Sequence, residues 1–222
     1  MVPLPDALTP NPTWRLRVEG LGIRRRRTWI VAGFTWEHHP GRIAWITGEN
    51  GAGKSSLLRV LAGRARPTTG SISWDGPPGQ RPLRLYYHPT MGLPPRSTLG
   101  DWRRLLAALG EGEPTVPGAW TLDPGRAPAD RRLGQISTGE ARRVLLAGLL
   151  GRAAPFLLLD EPYEHLSAGA RDRLTEILVR IARESVVVVA TNREIPARAA
   201  DSPVLRLDGT RVEPATAPRE VL

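Results

Sequence analysis

The stretch with the plainest chemistry is Gly48-Glu49-Asn50-Gly51-Ala52-Gly53-Lys54-Ser55-Ser56. It matches G-x-x-x-x-G-K-[ST], which means a phosphate-binding loop where it joins a strand to a helix. Gly48, Gly51 and Gly53 let the backbone curl so that successive N–H groups face one anion. The N-terminus of the following helix adds partial positive charge. Lys54 can reach the β- and γ-phosphates of a nucleotide, and Ser55 can ligate Mg2+. Lys54 is also the only lysine in the chain, beside a large excess of arginine.

Two further groups complement the loop. Phe156-Leu157-Leu158-Leu159-Asp160-Glu161-Pro162 is an apolar run ending in adjacent carboxylates. Downstream of a phosphate loop, Asp160 reads as the carboxylate beside the magnesium. Glu161, one residue on, is placed to polarise an attacking water. Ile136-Ser137-Thr138-Gly139-Glu140 offers a hydroxyl, a glycine N–H and a helix start, which together suit an anion.

Positioning these groups takes a particular set of elements. The apolar run Ile43 to Thr47 reads as a buried strand before the loop, and Leu57 to Ala62 as a helix after it, stopped by Gly63. Trp14 to Glu19 alternates and reads as a strand, Val31 to Glu37 as a second, and Leu83 to Tyr87 as another. Leu99 to Leu109 reads as a helix amid loops rich in proline and glycine, at 111–117 and 123–128. Ser137 caps a helix through Ala147, and Ala168 to Arg183 reads as a further helix. Val186 to Ala190 is a buried strand, and Val204 to Val212 a hairpin turning at Asp208-Gly209. Continuous apolar strands alternating with helices imply an α/β fold with a mostly parallel sheet covered on both faces.

Composition narrows the setting. At 222 residues the chain is one domain, or one core with an inserted lobe. It contains no cysteine, which excludes disulfides and thiolate metal sites and fits a reducing cytoplasm. Met1-Val-Pro-Leu-Pro-Asp6 lacks the basic start and apolar run of a signal peptide. No run reaches the roughly 18 apolar residues of a membrane span, so any link to a membrane has to come through a partner. The net charge of +9 comes almost wholly from arginine spread along the chain. The one dense run, Arg24 to Arg27, lacks the interleaved aromatics of a single-strand-binding surface, and no nucleic acid is expected as a partner. An anionic membrane surface or a charged partner remains open for it.

Ile136 to Glu140, followed by Ala141-Arg142-Arg143 and placed upstream of Asp160, resembles the Leu-Ser-Gly-Gly-Gln signature of ATP-binding cassette (ABC) ATPases. Helicases, kinases and GTPases share the phosphate loop but lack this element. The resemblance covers roughly residues 14 to 212. It implies a P-loop NTPase of the ABC-ATPase fold: a mostly parallel core sheet, an antiparallel β subdomain and an inserted small helical lobe. The implied organisation is a single ABC ATPase domain. A proline-rich arm at 1–13 precedes an ATP-binding core at 14–87 and 152–212. A helical lobe carrying the signature occupies 88–151, and a tail 213–222.

The same resemblance implies ATP and Mg2+ as cofactors, with Ser137, Thr138, Gly139 and Glu140 binding the γ-phosphate of ATP held by a second cassette. That arrangement is a head-to-tail pair, either a homodimer or a heterodimer with another ABC ATPase subunit. It also implies an integral-membrane permease, which would hold the chain at the inner face of the cell membrane and dock on residues 88–110. Trp102, Leu105, Leu106 and Leu109 are candidate contacts there, although their helical spacing equally describes the inner face of a packed helix. Within the family, Ile46 to Lys54, Leu57 to Arg59, Arg66-Pro67, Gly70 and Trp74 resemble the ATP-binding subunit of the haem exporter of cytochrome c maturation.

Four positions depart from the family pattern. The aromatic that stacks on adenine corresponds to about Arg25, whose guanidinium can also stack on a base, and Trp29 is the alternative. The glutamine that senses magnesium falls at His88 or Pro89, where a histidine can meet a ligand water or be a simple loop residue. The aspartate that bonds across the dimer interface is Ser167. The switch histidine is Asn192, which donates a neutral hydrogen bond but cannot carry charge. Glu161 is present, so the expectation is ATP hydrolysis at a reduced rate.

Overall fold

The chain runs β1 (Arg15–Arg25), β2 (Thr28–His38), β3 (Ile43–Thr47), α1 (Lys54–Leu61), β4 (Thr69–Asp75), β5 (Arg84–Tyr87) and α2 (Leu99–Leu109). It continues through α3 (Thr138–Leu150), β6 (Phe156–Asp160), α4 (Ala168–Ile181), β7 (Val186–Ala190), β8 (Val204–Asp208) and β9 (Arg211–Ala215). This computed structural model describes residues 14–79, 82–109, 129–152 and 154–215. The arm expected at 1–13, the loops at 111–117 and 123–128 and the chain beyond 215 lie outside the described residues.

β6 and β7 are buried along their whole length, and β3 along all but its last residue. Such strands can lie only inside a sheet covered on both sides. They are the centre of a six-stranded sheet ordered β5-β6-β7-β3-β8-β9, parallel except for the β8–β9 hairpin at one edge. A second, antiparallel sheet, β2-β1-β4, packs beside it. This is the mostly parallel core sheet with an antiparallel β part that the sequence resemblance implies.

Alternation along the central strands sorts the core into two layers. Ile43, Trp45, Leu157, Leu159, Val187 and Val189 face α3 and α4, meeting Leu146, Leu174, Ile177 and Leu178. Ala44, Ile46, Phe156, Leu158, Val186 and Val188 face α1 and the antiparallel sheet, meeting Leu57, Leu58, Leu61, Leu16 and Val31. A satellite cluster of Leu99, Leu133 and Val144 ties α2 to the middle of α3.

Several boundaries differ from those read from the sequence. β1 runs on to Arg25, because Gly20 takes a left-handed φ of 57° and the register with β2 shifts there, which breaks the alternation without ending the strand. Helix α1 begins at Lys54 itself, so Lys54, Ser55 and Ser56 are its first turn. Its other end closes as expected at Gly63. That residue is left-handed, and the Gly63 and Arg64 N–H groups bond Val60 O and Arg59 O at 2.9 and 2.8 Å. The last hairpin turns at Gly209-Thr210, and β9 continues through residues 213–215, read above as tail. Pro214 is tolerated in β9 because this is an edge strand.

Candidate functional site

The strand order decides which loops meet. β5, β6, β7 and β3 are parallel neighbours, so their carboxyl ends open on one edge of the sheet. Along that edge lie His88 after β5, Asp160 and Glu161 at the end of β6, Asn192 after β7, and Gly48 after β3.

The loop from Gly48 to Gly53 is held by backbone shapes that side chains resist. Gly53, with φ 108°, is the N-cap of α1, and a Cβ there would run into the Ile30 side chain. At Gly48, with φ 146°, a Cβ would come within 2.5 Å of Leu207 O. Ala52 N–H closes the loop on Glu49 O at 3.2 Å, while Glu49 and Asn50 are exposed. No side chain caps the helix start, so the first-turn N–H groups keep the electropositive end that a phosphate would meet. Lys54 is 6% exposed, and its Nζ donates to Gly48 O at 2.9 Å and Glu49 O at 3.1 Å. These contacts fold the ammonium back into the curl where an anion would compete for it.

Asp160 is 1% exposed, and neither carboxylate oxygen has a hydrogen-bond partner of good geometry among the described residues. Burial raises its pKa. The Ser55 hydroxyl and the charges of His88, Arg59 and Lys54 oppose that rise. A buried carboxylate left this way beside a serine hydroxyl fits a site for a hard cation. Ser55, Asp160 and His88 would hold it, with His88 Nε2 3.5 Å from Asp160 Oδ2.

Glu161 takes a left-handed φ of 45°, a conformation that costs a non-glycine residue roughly 1–2 kcal/mol. Its N–H is anchored to Ala190 O at 2.8 Å. The carboxylate accepts from Asn192 N–H at 3.2 Å and lies 3.8 Å from Lys54 Nζ. Burial is the largest cause raising its pKa, with the Asp160 charge adding to it. The Asn192 N–H, Lys54 and Thr191 oppose the rise. A largely buried carboxylate with a raised pKa beside a phosphate loop is equipped to take a proton. The Asn192 side chain donates to Asn50 Oδ1 at 3.0 Å.

A cleft of about 360 Å3 is lined by Arg25, Asn50, Gly51, Gly53, Lys54, Ser55, Ser56, Glu161, Glu164 and Asn192, whereas Gly48, His88 and Asp160 are not part of its lining. Arg25 reaches it from the tip of the β1–β2 hairpin. Trp29 does not line it. On that hairpin Arg24 and Trp29 are cross-strand partners, and the Arg24 guanidinium lies 5.8 Å from the centre of the Trp29 ring. Glu164 was not singled out from the sequence. It borders the cleft and accepts from Arg142 of α3 at 3.0 Å, a contact that no local pattern announces.

Ser137 caps α3 through a reciprocal box. Glu140 N–H donates to Ser137 Oγ at 3.2 Å, and the Glu140 carboxylate accepts from Ser137 N–H and Oγ–H, each at 2.8 Å. Arg131 also donates to Glu140, at 3.2 Å. Ser137 and Thr138 are exposed, and a Cβ on Gly139 would lie 3.5 Å from His165 O. None of the four from Ser137 to Glu140 lines the Lys54 cleft. Ser167 is the N-cap of α4 but makes no side-chain cap bond, and it is exposed. Trp102 packs inward against the core, so it is a packing residue, whereas Leu105 is 46% exposed. The side chains of Leu106 and Leu109 lie outside the described residues.

Residues 31–164 match the ABC transporter family. The chain is 31% identical over 209 residues to the cytochrome c biogenesis ATP-binding export protein CcmA of Shigella sonnei (strain Ss046), covering 86% of this chain and 94% of that protein. It is also 31% identical over 247 residues to the tylosin resistance ATP-binding protein TlrC of Streptomyces fradiae, covering 91% of this chain but 44% of that protein. A solved ATP-binding subunit of an ABC transporter superposes with a TM-score of 0.77 at 24% identity, covering 90% of this chain and 89% of that one, a likeness of fold.

Proposed function

The chain belongs to the ABC transporter family of ATP-binding subunits, and from that membership we propose that it hydrolyses ATP between two paired cassettes to drive export through a separate membrane permease. The observation that carries this reading is the cleft in which Lys54, Glu161 and Asn192 converge on the glycine loop. The triphosphate rests on the N–H groups of Gly48 to Ser56, and Lys54 exchanges its two carbonyl partners for phosphate oxygens. Arg25 stacks on the adenine. Ser55, Asp160 and His88 would hold Mg2+, which would supply neutralisation of the phosphate charge. Glu161 takes the proton of the attacking water, and the Asn192 amide donates to the γ-phosphate.

Ser137 to Glu140 stand apart from their own chain's cleft, which supports a second cassette, identical or different, supplying them across a two-fold interface. Met91 and Leu105, 41% and 46% exposed, are the apolar residues we assign to contact with the permease. Among the described residues no helix is long and apolar enough to cross a membrane. The permease would therefore hold the protein at the inner face of the membrane, and no nucleic acid is required. Similarity to CcmA supports haem export in cytochrome c maturation as the cargo branch. Similarity to TlrC supports an exporter of another cargo. Loss of haem-bearing c-type cytochromes on deletion of the gene would select the first.

Steady-state phosphate release with Mg2+ and ATP tests the enzyme reading. Glu161→Gln should lower it on the order of 100-fold and trap an ATP-bound pair. Lys54→Ala should abolish nucleotide binding, and unchanged affinity would overturn the site. A second reading, an ATP-gated clamp that scarcely turns over, is favoured by the hydrogen bond that occupies the Asn192 amide. In that case wild type would release phosphate no faster than Glu161→Gln.

A further inference from the structure

We infer that the Arg142–Glu164 ion pair carries the arrival of ATP in a chain's own cleft to the start of α3, the segment proposed to meet the mate's ATP, and that both are positioning residues for the paired reaction. The inference rests on the ATP-binding and pairing reading above and names the link between the two half-sites that one chain contributes.

Glu164 is the cleft-lining residue that reaches α3. Arg142 Nη1 donates to its carboxylate at 3.0 Å and to its carbonyl oxygen at 3.4 Å, so one nitrogen holds both side chain and backbone at position 164. Among the described residues, no other residue lining the cleft hydrogen-bonds to α3. The Arg142 side chain is 12% exposed and its Nε is buried without a partner, so the Glu164 carboxylate is the group that compensates its charge. Gly139 and Thr138 precede Arg142 by three and four residues on α3, which puts all three on one helix face. The loop carrying Glu164 lies along that face. A Cβ on Gly139 would stand 3.5 Å from the carbonyl oxygen of His165, the residue after Glu164.

The same loop begins at Glu161, whose carboxylate lies 3.8 Å from Lys54 Nζ. Glu161 and His165, on either side of Glu164, take left-handed φ values of 45° and 58°, which non-glycine residues resist. Contacts from outside the loop therefore fix its position. When a triphosphate takes Lys54, Glu161 loses a neighbouring cation, while Glu164 stays tied to α3. A movement that starts at Glu161 is thus passed to the first turns of α3. Ser137 to Glu140 stand outside their own cleft, so nucleotide reaches them through this tie and not by contact. The coupling works both ways: ATP of the mate, held on α3, favours nucleotide in this cleft.

The test is backbone hydrogen exchange of residues 137–150 in the purified full chain, with and without Mg2+ and β,γ-methylene-ATP, at protein concentrations too low for pairing. Wild type should exchange there about threefold more slowly once nucleotide is bound. Arg142→Gln, which lies outside the cleft lining, should bind the nucleotide within about threefold of wild type and lose that difference. Glu164→Gln should lose it too, and the double variant should do no more than either single change. A pair that only braces α3 would alter exchange equally with and without nucleotide. A Glu164 that acts only as a charge would, once neutralised, tighten nucleotide binding and leave the difference intact. Should Arg142→Gln fail to fold, Glu164→Gln carries the test, since its side chain is 41% exposed. A difference that persists in Glu164→Gln, or nucleotide bound by wild type with no change at residues 137–150, would overturn the inference and leave the ATP site standing. Failure of wild type to bind the nucleotide would overturn both.

Discussion

Asn192 Nδ2 donates a 3.0 Å hydrogen bond to Asn50 Oδ1, joining residues 142 apart in the chain. The backbone N–H of the same Asn192 donates to the Glu161 carboxylate at 3.2 Å. One residue thus ties the glycine loop to the carboxylate placed to activate water. It can do so because β7 lies between β6 and β3, which puts its terminal loop between theirs.

The first prediction concerns that tie. In the proposed reaction the Asn192 amide must leave Asn50 to reach a γ-phosphate, and it brings no charge. Asn192→His should raise phosphate release about tenfold, equivalent to about 1.4 kcal/mol of barrier. Steady-state kinetics at saturating ATP check it, and an unchanged rate would show that asparagine does not limit turnover.

The pH profile follows from Glu161. Its pKa is raised chiefly by burial, and it must be ionised to accept a proton. Turnover should therefore fall as pH drops through that raised value, with the acid limb above the ordinary glutamate range. Measured from mildly acid to neutral pH, the limb should vanish from the residual activity of Glu161→Gln.

Asp160 links function to stability in the opposite direction from most carboxylates. Burial raises its folded pKa, so the folded state holds the proton more tightly than the unfolded chain. Its contribution to stability is present at low pH and is lost as pH rises through the folded pKa. Asp160→Asn should raise the Tm of the nucleotide-free protein at neutral pH on the order of 2–4 °C, the shift that about 1 kcal/mol gives at this chain length. The gain should shrink in acid, and metal-dependent ATP binding should be lost. Thermal scans at two pH values check the sign.

Ser137→Ala should have two separable effects. Loss of the capping box should cost about 1 kcal/mol of monomer stability. Loss of the hydroxyl proposed to meet the other cassette's ATP should weaken nucleotide-dependent pairing at least tenfold in a Glu161→Gln background. Sedimentation with and without ATP separates the two, and normal pairing would remove Ser137 from the interface.

Arg25→Ala should weaken ATP binding about three- to fivefold, the size of a partly exposed stacking contact. Arg25→Tyr should restore it, and Trp29→Ala should change nothing. Equilibrium nucleotide titration distinguishes these outcomes.

The features legible in the chain were those written in adjacent residues. The glycine loop, the apolar strand ending at Asp160 and Glu161, and the serine-capped start of α3 each depend on short-range geometry, and each stands where its pattern places it. Where long strands twist or bulge, local alternation failed, as between Gly20 and Arg25. The choice between Arg25 and Trp29 was invisible as well, because it depends on which face of a hairpin turns towards the loop.

By itself, then, the sequence determined the chemical groups and the local backbone that presents each of them, since hydrophobic period, glycine freedom and capping act within a few residues. Only the tertiary structure decided their neighbours. Along the chain the order is Gly48, His88, Asp160, Asn192. Across the sheet it is His88, Asp160, Asn192, Gly48, because parallel pairing inserts β7 between β6 and β3. That insertion sets the amide of Asn192 against Asn50, while the pairing of β5 with β6 sets the imidazole of His88 against Asp160. Neither contact follows from spacing, since pairing between distant strands is settled by burying both faces of the sheet together.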